Sequence, residues 1–216
     1  MNIIKQSKII PLISILSVTV LAGCQPKKET STTTDKADIP LIQSKVVPVK
    51  IPKQKVCQED GCTNYDLQTV ETNQKWIDDY FVNRMKKAEP NAFANMQKKK
   101  VKIPANEPSL SESSTYVRFV GQNYNLATFA IQSYSYSAGA AHGMSHQEFV
   151  NFDLSTKKHI PVSQLVKANM TQKLRDELYA SNQSWLENHD IKKDKLQLSD
   201  NYYYGVNGIV FVYPLY

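Results

Sequence analysis

Residues 134–154 read YSYSAGAAHGMSHQEFVNFDL, and no other stretch limits the fold as much. Tyr134 and Tyr136 alternate with serines, the period of a strand with two unlike faces. The small residues Gly139-Ala140-Ala141-His142-Gly143 cannot extend that strand and read as a loop. Gln147 to Leu154 then resumes an extended apolar pattern. Two strands joined by a short loop pair antiparallel, so the chain needs a sheet with a second layer to cover it.

The flanking sequence supplies both. Tyr65, Leu67 and Thr69 alternate with polar residues as a short strand. Asn73 is placed to cap a helix carrying Trp76, Ile77, Tyr80, Phe81 and Met85 on one broad face, with Pro90 beyond its end. Residues 97–114 are polar, contain two prolines and read as a surface loop. Thr115 to Val120 is a strand, Gly121-Gln122-Asn123 a turn, and Asn125 to Tyr136 a longer strand. On the latter, Phe129 and Ile131 share one face and Tyr134 and Tyr136 the other. Ser155 to Lys158 is a turn, after which His159 to Val162 continues the meander.

Asn169 with Gln172 gives a capping-box signal for a second helix. Leu174, Leu178, Trp185 and Met170 line one side of it as far as about Asn188. Asn207-Gly208 between apolar runs marks a hairpin. The class is α+β: an antiparallel sheet of meander and hairpins with two main helices packed on one face. Residues 57–216 are long enough for one self-sufficient core. The apolar run at Tyr216 implies a further strand or an edge for a partner.

The N-terminus concerns location. Lys5 and Lys8 precede the apolar run Ile9–Val20, and Leu21-Ala22-Gly23-Cys24 follows. The run is short for a membrane span. Small residues before a cysteine resemble a bacterial lipobox, which implies a signal peptide over 1–23 and lipidation of Cys24. The acyl chains would anchor the protein to a membrane. In a host with two membranes, Gln25 is compatible with outer-membrane sorting. Residues 24–56, with prolines at 26, 40, 48 and 52, read as a disordered tether. Cys57 and Cys62 then suit a small disulfide loop in an exported protein.

The net charge is +6, and loss of Lys5 and Lys8 with the signal peptide leaves +4. That balance favours acidic surfaces mildly. It disfavours nucleic acid, because Lys98-Lys99-Lys100 is the one tight basic run.

Catalytic patterns are sparse. His142 and His146 have zinc-binding spacing, but the glycines place them in a loop and Glu148 does not sit between them. Ser133 or Ser145 with His142 and Asp153 could form a triad on paper, without a Gly-x-Ser-x-Gly turn to hold the nucleophile. Glu148 and Asp153 are the acids of the central stretch. No phosphate loop or dinucleotide fingerprint occurs, and no cofactor is implied. Tyrosines at 134, 136 and 202–204 offer flat faces with hydroxyls, which suit sugars and protein interfaces. A run of three at 202–204 cannot bury every ring on one face.

Tyr136, Gly139, Ala141, His142 and Gly143 form Tyr-x-x-Gly-x-Ala-His-Gly. With Asn-Phe-Asp-Leu at 151–154 and Asn-Gly-Ile-Val-Phe at 207–211, the chain resembles the RsiV-type extracellular domain family. That domain is the ectodomain of a lysozyme-sensing anti-sigma factor and also occurs beside the PdaC peptidoglycan deacetylase module and in envelope lipoproteins. The resemblance covers roughly Tyr65 to Tyr216. Ala140 and Lys158 depart from the glycines the family usually has there, and the family continues past the Tyr216 strand.

The resemblance implies a non-catalytic binding domain in the bacterial envelope, with peptidoglycan glycan or a lysozyme-like protein as ligand. Candidate contact residues are Tyr134, Tyr136, Gly139, His142, Gly143 and Asp153. The alternative is an envelope hydrolase or metal-dependent enzyme centred on His142. A basic lysozyme-like partner suits a +4 chain less well than glycan does.

Overall fold

Extended, β-branched and aromatic segments dominate from residue 44 onward, and in the computed structural model they form one large sheet. The structure describes residues 39–58, 61–94 and 110–214. The expected signal peptide over 1–23, Cys24, the expected tether as far as residue 38, Lys98–Lys100 and Tyr216 lie outside the described residues. No helix among them is long and apolar enough to cross a membrane.

The strands are β1 (Ser44–Pro48), β2 (Lys55–Gln58), β3 (Gly61–Thr72), β4 (Leu110–Asn123), β5 (Leu126–Tyr136), β6 (Met144–Asp153) and β7 (Lys158–His159). Their order across the sheet is β1-β3-β4-β5-β6-β7, with β2 also paired to β3. Two helices follow β3, α1 (Lys75–Ala88) and the single turn α2 (Pro90–Phe93). After β7 come α3 (Val162–Leu165), α4 (Thr171–Ser181) and α5 (Gln183–Asn188). A separate hairpin, β8 (Tyr202–Gly205) with β9 (Gly208–Phe211), ends the described chain.

The class is α+β. Every strand pair of the large sheet is antiparallel except β3–β4, which is parallel. Parallel neighbours cannot be joined by a hairpin and need a crossover. The chain from β3 to β4 runs through α1, so the helix is laid across one sheet face. Ile77, Phe81 and Met85 recur every four residues and are buried against that face. Phe152 is the centre of the resulting core. Its ring meets Trp76, Tyr80, Phe81 and Phe129 at centroid distances of 5.0–5.8 Å.

The folded domain begins earlier than residue 57, which corrects the tether expected over 24–56. Ile42 is buried, and Ser44–Pro48 pairs with Gln68–Thr72. Prolines are compatible with an edge strand, where one row of amides has no ladder partner. Cys57 and Cys62 face each other across β2 and β3 and are disulfide-bonded.

Several local expectations shift. Asn73 does not cap α1, whose cap position Gln74 makes no side-chain cap bond. Its amide instead accepts from Gln43 N and donates to Leu41 O, stitching the approach to β1 onto β3. β4 begins at Leu110, inside the expected surface loop, and runs on through the expected Gly121–Asn123 turn. A register irregularity between Phe119 and Gly121 moves the hairpin turn to Tyr124-Asn125, where Tyr124 takes φ 51°. In the last hairpin the loop residues are Val206-Asn207, because Gly205 pairs with Gly208.

α4 begins after a 3-10 turn at Ala168–Met170, without the Asn169 capping box, and buries no residue fully. Trp185 and Met170 are exposed rather than core, while Leu186 is buried.

Candidate functional site

Register and alternation give the sheet a second, open face. On β4, β5 and β6 the pairs Ser114↔Tyr134 and Tyr134↔Ser145 make one cross-strand row, and Tyr116↔Gln132 and Gln132↔Gln147 make the next. These six residues, with Ser133 and His146, line an open groove of about 390 Å³, at the lower end of the range for small-ligand sites. None of the six carries a charge at neutral pH. Tyr116 and Tyr134 are diagonal neighbours, about 7–8 Å apart in such a lattice. The groove therefore offers two aromatic rings with hydroxyl and amide groups between them.

Each end is closed differently. At one end Tyr134 lies against the small-residue loop. A Cβ on Gly143 would stand 2.3 Å from the tip of the Tyr134 ring, so the ring can rest there only over glycine. Gly139 shapes the same loop with φ +86°. At the other end the next row is Arg118, Ala130 and Phe149, and Tyr203 of β8 packs on Phe149 at 4.7 Å.

The last hairpin covers the open face beyond that row. Asn151 is fully buried there; its Oδ1 accepts from Thr128 Oγ1 at 2.8 Å and its Nδ2 donates to Tyr202 O at 2.7 Å. The Asn201 side chain accepts from Phe149 N and donates to Gln147 O, imitating a neighbouring strand along β6. Tyr202 is buried and its hydroxyl donates to Ile160 O; burial pushes that phenol up.

The β3 side completes the groove rim. The Tyr116 hydroxyl donates to Asp66 Oδ2 at 2.6 Å, which pushes the phenol up and keeps it a donor. The Arg118 guanidinium stands over the Tyr116 ring, 5.3 Å from its centroid, and donates to Gln68 Oε1 at 2.7 Å.

The sequence-derived residues separate. Tyr134 and Gly143 meet at the groove. Tyr136 is on the same sheet face one row further, opposite Glu112. His142 is exposed in the loop, and its Nδ1 donates to the adjacent Gly143 O at 3.0 Å. Asp153 is not brought to this groove. It lies eight residues along β6 from Ser145, about 26 Å away. There it holds a turn: Asn125 Nδ2, Ser155 N, Ser155 Oγ and Thr156 N all donate to its Oδ1. Burial raises its pKa, but those donors outweigh burial and hold the carboxyl at about 2. Among the described residues no group of three or more His, Cys, Asp or Glu side chains is arranged to hold a metal ion.

Glu148 faces the helix side. It pairs with Arg84 of α1 rather than with Asp153, so the two acids of the central stretch sit on opposite faces. His159 stacks on Tyr80 at 5.9 Å; burial, then the Arg84 charge, lowers its pKa, with Glu148 and Asp200 opposing.

Ser114, Tyr116, Gln132 and Gln147 were not singled out from the sequence. Tyr116 follows the same alternation as Tyr134, but only cross-strand register places the two rings together.

Solved structures similar to this chain include two members of one family. One is a DUF3298 family protein from Pseudomonas aeruginosa PAO1, with a TM-score of 0.56 at 15% identity over 79% of this chain and 82% of that one. Another is a member of the same family from Bacteroides fragilis NCTC 9343, with a TM-score of 0.54 at 12% identity over 80% of this chain and 83% of that one. At such identities the likeness shows a shared fold. No family model and no curated protein matches the sequence.

Proposed function

We propose that this chain is a bacterial cell-envelope lipoprotein whose folded domain binds cell-wall glycan without catalysis. The observation that carries the reading is the groove over β4, β5 and β6. Two tyrosine rings lie among uncharged hydroxyl and amide side chains on an otherwise open sheet face. Sugar rings present apolar C–H faces and hydroxyls, and N-acetylated sugars add amides; the groove has a counterpart for each. Its volume suits a few sugar units rather than a protein surface.

The lipobox residues ending at Cys24 support anchorage to a membrane, in the outer membrane facing the periplasm where the host has two membranes. The motif residues at 136–143 and 151–154 support placing the domain with RsiV-type ectodomains, and the fold shared with two DUF3298 proteins agrees with that placement. His142 is assigned a role in the loop, bonded to its neighbour's carbonyl, rather than in turnover.

The test is retention of the full-length chain on purified peptidoglycan and on immobilised lysozyme, beside a Tyr134→Ala variant. Glycan binding predicts retention on peptidoglycan that falls about tenfold in the variant, the loss of one stacked ring. Retention on lysozyme alone would replace glycan with a protein partner. Consumption of peptidoglycan abolished by His142→Ala would restore the enzyme reading.

A further inference from the structure

Among the described residues, Arg118 is fixed in position without an ion pair. Its guanidinium donates to Gln68 Oε1 at 2.7 Å and to Val117 O at 2.9 Å, both neutral acceptors, and lies over the Tyr116 ring. Among the described residues it has no salt-bridge partner. Asp66, the acid that meets that ring's hydroxyl, accepts its hydrogen bond. Glu112 is six residues away along β4, about 20 Å.

Arginines that serve only solubility are usually free to move, and arginines that serve stability are usually paired. A planar fork held by an aromatic face and two neutral acceptors keeps its charge unneutralised and its geometry preset. That is the arrangement suited to receiving a carboxylate, because the entropy of ordering the side chain is already spent.

Its place in the lattice gives the ligand's chemistry. Arg118 occupies the row next to Tyr116, Gln132 and Gln147, at the end of the groove that Phe149 and Tyr203 close. A sugar stacked on Tyr134 would extend along the groove and present an acidic substituent to this end. We infer that Arg118 reads a sugar-borne carboxylate, so that the groove takes acidic amino-sugar or uronate units in preference to neutral ones. The inference rests on the glycan reading of the groove and adds the charge of its ligand. A carboxylate of this kind can come from the lactyl ether of muramic acid or from a uronic acid.

Titration calorimetry of the full-length chain in detergent separates these. Three disaccharides are compared: N-acetylglucosamine joined to N-acetylmuramic acid, chitobiose, and a uronate disaccharide. The expected result is that at least one acidic sugar binds about tenfold or more tighter than chitobiose, the scale of one charge-assisted hydrogen bond. Preference for the muramic sugar over the uronate identifies the lactyl source, and the reverse identifies the uronate.

Arg118→Gln should remove the preference, so that the acidic sugars bind no tighter than chitobiose does to the same variant, with an unaltered melting temperature showing that the fold persists. Arg118→Lys should retain part of the preference, since charge remains without the fork. If chitobiose and both acids bind equally to the wild-type chain, the Arg118 assignment is overturned while the glycan reading stands. If none of the three binds, both fall.

Discussion

The same three strands have two unlike faces. Toward α1, β4, β5 and β6 present Val117, Phe119, Phe129, Ile131, Val150 and Phe152, a continuous apolar layer. Away from it they present Ser114, Tyr116, Gln132, Tyr134, Ser145 and Gln147, with only part of that face covered by the last hairpin. Alternation creates both surfaces at once, because successive side chains point to opposite sides. Which surface becomes core is decided by the crossover helix, and what remains open is available for a ligand. The helix face is therefore expected to control stability and the open face to control binding.

The largest effect should come from removing the elements that flank the helix-covered core. A chain beginning at Cys57 lacks Ile42, β1 and half of β2. It should lose about 5 kcal/mol or more, comparable with the whole stability of many domains. Urea unfolding of that fragment against the full chain measures it; equal midpoints would return residues 39–56 to the status of a tether.

Next is Phe152→Ala on the helix face, expected to cost about 3–5 kcal/mol through the cavity it leaves among four aromatic rings. Tyr134→Ala on the opposite face should cost less than about 1 kcal/mol while weakening glycan retention. Paired unfolding curves and binding isotherms read the contrast, and a Tyr134 variant as unstable as the Phe152 variant would dissolve it.

Gly143→Ala sharpens the open face further. Its Cβ needs the position of the Tyr134 ring tip, and that side chain can swing aside. Stability should change by about 1 kcal/mol or less, while glycan affinity should fall severalfold. A crystal structure or ring-proton NMR of the variant should find Tyr134 displaced.

Acid should touch the faces in different pH ranges, with the smallest effects of the series. His159 has a folded pKa below its ordinary 6.5, so its protonation favours the unfolded chain and stability declines as pH falls through about 6.5. Asp153, at about 2 when folded and about 3.9 when unfolded, stabilises above the latter value; that part fades as pH falls from about 4 to 2. Both groups are substantially solvated, so each step is small. Melting temperatures of Asp153→Asn and His159→Gln across pH 2–8 should each lose the corresponding step.

Much of the fold was legible because its signals are local. The helical spacing of Ile77, Phe81 and Met85 marked α1, and alternation at Phe129, Ile131, Tyr134 and Tyr136 assigned the two faces of β5 correctly. The Cys57–Cys62 pair followed from spacing together with the expectation of export. The misreadings have equally specific causes. β1 was hidden because Pro48 and the surrounding lysines suit an edge strand as well as a linker. The β4–β5 turn moved because an irregularity near Val120 shifts the register that Gly121 seemed to end. Trp185 shares one side of the second helix with Leu174 and Leu178 by spacing, yet it is exposed, because helical spacing does not tell which side another layer covers.

The site divides in the same way. Sequence placed Tyr134, Gly139 and Gly143 at one corner of the sheet, since loop chemistry depends on neighbours along the chain. It also grouped Asp153 with them, although a strand carries that carboxyl about 26 Å away to hold a turn. Tyr116, Gln132, Gln147 and Arg118 become neighbours of Tyr134 only through cross-strand register.

By itself, then, the sequence determined the α+β class, the paired cysteines, the amphipathic helix and the two-faced character of the central strands, all consequences of period and residue type. Tertiary structure alone decided that β3 and β4 run parallel, that α1 covers the phenylalanine face, and that, among the described residues, the tyrosine face stays open beside an Arg118 without an ion pair. The reason is physical: side-chain direction is set within a strand, but register and coverage are set by contacts between segments tens of residues apart.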